Sequence, residues 1–103
     1  MGLNRYAKKR DANEAEIVAA LRAAGFWVAL IDQPVDLLVG HTGYPTVVLM
    51  EVKVLDGALN ASQTLWWRLS EGAHRFVIRT TAEALRAAKF WIKGEAEEPC
   101  ATN

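Results

Sequence analysis

The sequence predicts an α/β domain, a four-stranded mixed sheet flanked by helices in the order α-β-β-β-α-β-α, and three observations carry that expectation. Apolar side chains recur at helical spacing after Asp11, three short apolar runs follow between turn residues, and Asn60 and Thr80 each open a helix-capping signature. Three consecutive strands, a helix and a fourth strand imply a mixed sheet with helices packed on its faces.

The first helix spans Asp11 to Ala24: Asp11 and Glu14 fit a capping box, Ile17, Val18 and Leu21 form an apolar stripe, and Gly25 stops it. Phe26–Ile31, Val35–Gly40 and Thr46–Val54 have strand length and composition, with the turn-rich His41-Thr42-Gly43-Tyr44-Pro45 between the second and third. Asp56-Gly57 marks a turn, and Asn60 caps a helix running to about Ser70, with Leu65, Trp66 and Leu69 as its expected core face. Arg75–Arg79 is a short strand. Thr80 and Glu83 form a further capping box, opening a helix to about Lys93 that Gly94 ends. Most of Trp27, Trp66 and Trp91 are expected to be core residues.

At 103 residues the chain has room for one domain, 1–103, whose ends 1–10 and 94–103 read as loosely held. A zero net charge argues against bulk attraction to nucleic acid, but charge is unevenly placed. Arg5, Lys8, Lys9 and Arg10 make a basic start that fits a phosphate-binding arm as well as a solvated terminus, while Glu95, Glu97 and Glu98 make an acidic end. The lone Cys100 excludes a disulfide framework and a thiolate zinc site. With no secretory h-region and no apolar run of membrane length, the expected location is cytosolic, without a membrane partner. The glycines form no phosphate-cradling loop, so no organic nucleotide cofactor is expected. His41 and His74 have no partner at ligand spacing, and no serine or cysteine has the neighbours of a nucleophile.

The chemistry concentrates on acidic residues. Folding the chain back about Gly43 and Tyr44 sets Asp36 opposite Glu51, and Glu51 shares a strand face with Lys53. Cross-strand carboxylates about 5 Å apart at Cβ repel unless a cation or proton lies between them. In the first helix, at about 100° per residue, Glu14 falls in the middle of the apolar stripe whereas Glu16 points away. Glu14 serves as a capping-box residue, as a functional carboxylate, or as both. Gln63 likewise belongs to a capping box with Asn60, and on the helix wheel it lies beside Trp67, at the boundary of core and cleft. Stacking on unpaired bases is a further role open to Trp67.

Asn13-Glu14 with the stripe behind it, Asp36, Glu51-Val52-Lys53, and Gly57 to Gln63 followed by aromatics resemble, in this order, the PD-(D/E)XK phosphodiesterase superfamily. The closer resemblance is to its VRR-NUC branch of small nuclease domains, similar in core to Holliday-junction resolvases, and it covers roughly residues 5–90. Phe76-Val77-Ile78-Arg79 and Ala82 to Leu85 extend it. The resemblance implies a restriction-endonuclease-like core and metal-dependent hydrolysis of DNA. It implies that Asp36 and Glu51 bind Mg²⁺ or Mn²⁺ with the Val52 carbonyl, and that Glu14 binds or water-links the ion. Lys53 would act on the attacking water, and Gln63 would position Lys53 or the scissile phosphate. One departure is Val35 between Pro34 and Asp36, and proline has no chemical part in the reaction. A small domain without an appended recognition module is expected to act as a homodimer on branched or structured DNA, and the resemblance suggests a phage-borne enzyme. The alternatives are a non-catalytic DNA-binding module, or a nuclease subunit whose partner recognises the substrate. Phe90, off the apolar stripe of the last helix, is the expected dimer contact.

Overall fold

A computed structural model describes residues 11–95. Its elements are α1 (Glu14–Ala23), β1 (Trp27–Leu30), β2 (Leu37–His41), β3 (Tyr44–Val52), α2 (Ala61–Leu69), β4 (Arg75–Ile78) and α3 (Thr81–Lys93), the order expected. The strands form one mixed sheet in the order β1-β2-β3-β4. β1–β2 and β2–β3 are antiparallel, and β3–β4 is parallel, as a connection through α2 requires.

Two of the three expected capping boxes form. Asn60 Oδ1 accepts from Gln63 N while Gln63 Oε1 accepts from Asn60 N, and Thr80 pairs with Glu83 in the same way. The box expected from Asp11 and Glu14 does not form, because the N-cap of α1 is Asn13, which makes no side-chain cap bond. Both polar side chains are drawn elsewhere. Asp11 Oδ2 accepts from Val54 N at 3.1 Å, and Asn13 Nδ2 donates to Lys53 O at 3.0 Å and Arg79 O at 2.9 Å. Tertiary hydrogen bonds thus outcompete the local cap and tie the start of α1 to the segments leaving β3 and β4. Asn13→Ala leaves two carbonyls without this donor and is expected to destabilise the fold by about 1–3 kcal/mol, read by urea denaturation.

One face of the sheet makes the core. Val28, Leu37, Val39, Val48, Met50, Val52 and Ile78 pack with Ile17, Val18 and Leu21 of α1 and with Ala84, Ala87, Ala88 and Ile92 of α3. The three alanines let α3 lie close over β3. β3 begins two residues earlier than expected and includes Pro45. Proline is tolerated there because β4 pairs only from Leu49 onward, so no ladder bond from Pro45 toward β4 is lost.

The opposite face is thinly covered, and here the sequence reading needs correction. Leu65 and Leu69, expected in the core, are 56% and 74% exposed, and among the described residues α2 contributes no buried side chain. Two anchors set its rotation. Gln63 donates to Glu51 on β3, and Arg75 on β4 donates to Trp67 O at 2.6 Å with its guanidinium 4.9 Å from the Trp67 ring centre. Gln63 and Trp67 are four residues apart and share a helix face, so Leu65 and Leu69 turn outward. Two of the three tryptophans also depart from expectation: Trp27 is exposed and Trp66 is only partly buried, whereas Trp91, partly buried, packs against the core. Trp27 lies across Gly40, its antiparallel partner, where a Cβ would collide with the indole. Phe90 is not an exposed aromatic either, since it packs edge-on against Trp91 at 5.0 Å and is partly buried. Its position therefore gives no argument for a dimer contact. Among the described residues no helix is long and apolar enough to cross a membrane.

Candidate active site

Asp36 and Glu51 meet across β2 and β3. Leu37 pairs with Met50 and Leu38 with Leu49, so one further step of the same register places Asp36 opposite Glu51. The fold-back about Gly43 and Tyr44 expected from sequence gives that pairing, although the turn itself is tighter. His41 pairs with Tyr44 around Thr42-Gly43, and an irregularity between Val39 and His41 absorbs the difference. A register slip of one residue would have sent the two carboxylates to opposite faces.

Both carboxylates are buried, Asp36 at 3% and Glu51 at 1% exposure. Burying a carboxylate is costly unless it is hydrogen-bonded or paired, and the structure supplies partners for each. Asp36 Oδ2 accepts from Val52 N at 2.8 Å, fixing the aspartate against the strand that carries Glu51. Glu51 Oε2 accepts from Gln63 Nε2 at 2.7 Å and lies 3.5 Å from Lys53 Nζ. Lys53 is just beyond the last residue of β3, with its own N–H donated to Ile78 O, yet its side chain returns to the Glu51 face. Gln63 makes two contacts at once: Oε1 caps α2, while Nε2 reaches Glu51 rather than Lys53.

Glu14 opens α1 and is buried, whereas Glu16 is exposed, as the helix wheel required. The neighbouring Asn13 holds this helix start against Lys53 O, at the end of the Glu51-Val52-Lys53 segment. Among the described residues, however, no three His, Cys, Asp or Glu side chains are gathered as a metal-holding group. What the fold does assemble is Asp36, Glu51, Lys53 and Gln63, with Val52 bonded to Asp36. Trp67 is partly buried, edge-on to Trp66 and stacked with Arg75, so Arg75 already takes up ring surface that a base would use. Arg5, Lys8, Lys9 and Arg10 lie outside the described residues.

Sequence reasoning missed the Asn13 clamp and the Arg75–Trp67 stack, both contacts between separate elements of the fold. It also missed a cavity of about 380 Å³ beside the site, lined by Asp32, Gln33, Pro34, Asn60, Ser62, Gln63 and Trp66. The two histidines have packing roles: His41 contacts Phe26 and Tyr44 edge-on, and His74 packs against Trp91 at 4.8 Å with the rings tilted by 40°. Comparison with protein-family models, curated proteins and solved structures finds no match to this chain.

Proposed function

We propose that this chain is a divalent-metal-dependent nuclease that hydrolyses phosphodiester bonds of DNA, acting on branched or structured DNA such as four-way junctions. The observation that carries this reading is the buried pair Asp36 and Glu51 at opposing cross-strand positions, with Lys53 and Gln63 both converging on one oxygen of Glu51. A purely structural role explains such a pair poorly, since two buried carboxylates at adjacent positions weaken a fold.

The donor set fits Mg²⁺ or Mn²⁺. Two carboxylates with the adjacent Val52 carbonyl are hard oxygen donors, and neither histidine nor cysteine stands with them among the described residues. The chemistry a bound ion supplies is Lewis acidity, which polarises a phosphoryl oxygen and acidifies water. The chain's own residues supply geometry and charge. Asp36, pinned by Val52 N, and Glu51, pinned by Gln63, hold two donor groups in fixed relation. Lys53 places a cation beside Glu51, where it stabilises negative charge growing on the phosphoryl oxygens as water attacks in line. Gln63 acts by orienting Glu51.

Glu14 joins this reading as the buried carboxylate at the start of α1. Glu14→Ala is expected to slow cleavage about 10–100-fold, the scale on which outer partners of metal sites act, while Glu16→Ala stays near wild type. Equal rates for the two variants in a labelled-DNA assay would remove Glu14 from the site.

A domain this small does not enclose a duplex, and a two-fold dimer would present two such sites to two strands. Light scattering at micromolar concentration is expected to show a dimer; a monomer alone would rule the dimer out. Cleavage itself is tested with labelled linear, nicked, flap and four-way DNAs in Mg²⁺, Mn²⁺ or EDTA. Cutting of the branched substrates with metal and none in EDTA is the expected pattern, and a panel left intact under all three conditions would overturn the proposal.

A further inference from the structure

The cavity beside the site is built for a different group from the phosphate. Its walls come from two places: Asp32, Gln33 and Pro34 between β1 and β2, and Asn60, Ser62, Gln63 and Trp66 at the start of α2. No lysine or arginine lines it, and Asp32 is its one ionisable lining residue, so an anion is a poor ligand. The remaining chemistry is three carboxamides, a hydroxyl and an indole. The Gln33 amide and the Ser62 hydroxyl make no hydrogen bond within the described residues and are exposed to whatever enters. A flat heterocycle carrying both donors and acceptors matches that lining, because amides can pair with either kind of edge atom and the indole offers a stacking surface. At about 380 Å³ the space falls near the lower end of small-molecule pockets, suited to one nucleoside-sized group.

Gln63 links this cavity to the chemistry. It lines the space and at the same time donates to Glu51 Oε2 at 2.7 Å. A group held there is one side chain away from the carboxylate that the proposed reaction uses. We propose that the cavity receives one unpaired nucleobase flanking the scissile phosphate, packed on Trp66 and hydrogen-bonded by Gln33, Asn60 or Ser62. This inference rests on the nuclease reading for its position in the reaction, and it favours substrates in which a nucleotide next to the cut is unpaired or readily extruded, as at a flap or a junction branch point. Paired bases in an unbroken duplex have their edges engaged and their faces stacked, so they do not enter without being extruded.

The test is binding in EDTA, which separates base recognition from cleavage. Fluorescence anisotropy compares a labelled duplex with a same-length duplex carrying one unpaired nucleotide. The unpaired site is expected to bind about tenfold more tightly, the scale of stacking one base on an aromatic side chain. Trp66→Leu should bring that ratio to within about twofold of unity, and Gln33→Ala, on the exposed opposite wall, should lower it with little risk to the fold. Circular dichroism confirms that both variants are folded. Equal affinity of the wild type for the two duplexes, or an undiminished preference in both variants, would overturn the inference. Metal-dependent cleavage without this preference would leave the nuclease reading standing and remove only the base site. Preference without cleavage in any metal would do the reverse.

Discussion

If the proposed chemistry holds, replacing Asp36 or Glu51 is expected to lower metal-dependent cleavage by more than about 10²-fold for either, because partners one step further from a metal already cost about 10–100-fold. The two positions need different controls. Asp36→Ala leaves Val52 N without its acceptor, at a cost of about 1–3 kcal/mol, so a loss of activity there mixes structure with chemistry. Asp36→Asn keeps an oxygen for Val52 N at the same volume and removes only the charge. Glu51→Gln does the same for the bond from Gln63. Folded Asp36→Asn and Glu51→Gln variants without activity would assign the carboxylates to the reaction. Undiminished cleavage by either would detach that residue from it.

The second large effect is on stability. An ion that binds only the folded protein stabilises it by RT ln(1 + [L]/Kd), about 1.4 kcal/mol at ten times Kd. For a domain of this length that is roughly 5–10 °C in Tm. Glu51→Gln should lose most of this shift. In EDTA it should also melt above wild type by a few degrees, since it removes a charge that is almost fully buried opposite a second carboxylate. Opposing it are the charge on the Gln63 bond, which Gln keeps as a weaker neutral one, and the Lys53 contact at 3.5 Å. The Lys53 contact is small, because Lys53 is partly exposed and its ammonium can turn to water. A thermal melt of wild type unmoved by millimolar Mg²⁺ and Mn²⁺ would argue against a metal site. An unchanged metal response in Glu51→Gln would put the ion elsewhere.

The parts of the fold that were legible in the sequence are those governed by local chemistry. Capping at Asn60 and Thr80, strand runs rich in Val and the helical stripe of α1 each report on a few neighbouring residues, and each gave its element in the right order. The Asp36–Glu51 pairing was legible for a similar reason: a short hairpin leaves few registers, and folding back about the turn residues Gly43 and Tyr44 sets Asp36 opposite Glu51. What the sequence hid depends on contacts between distant elements. Asp11 and Asn13 have cap-like side chains that bond instead to Val54, Lys53 and Arg79. The face of α2 could not be read from hydropathy, because Gln63 and Arg75 fix its rotation and leave Leu65 and Leu69 outside. That rotation is also what carries Gln63 to Glu51, so the departure from the apolar pattern and the candidate site have one cause.

If the site at Asp36 and Glu51 holds the ion that drives cleavage, rate and stability must respond to the same metal concentration. A labelled four-way DNA and the same protein preparation are titrated with Mn²⁺, reading cleavage rate in one arm and Tm in the other. No cleavage is expected in EDTA, and the midpoints for rate and for thermal stabilisation are expected to agree once Kd is corrected to the assay temperature, with both responses lost in Glu51→Gln. Cleavage that persists in EDTA, or that saturates with Mn²⁺ in the Glu51→Gln variant as it does in wild type, would contradict that assignment of the ion.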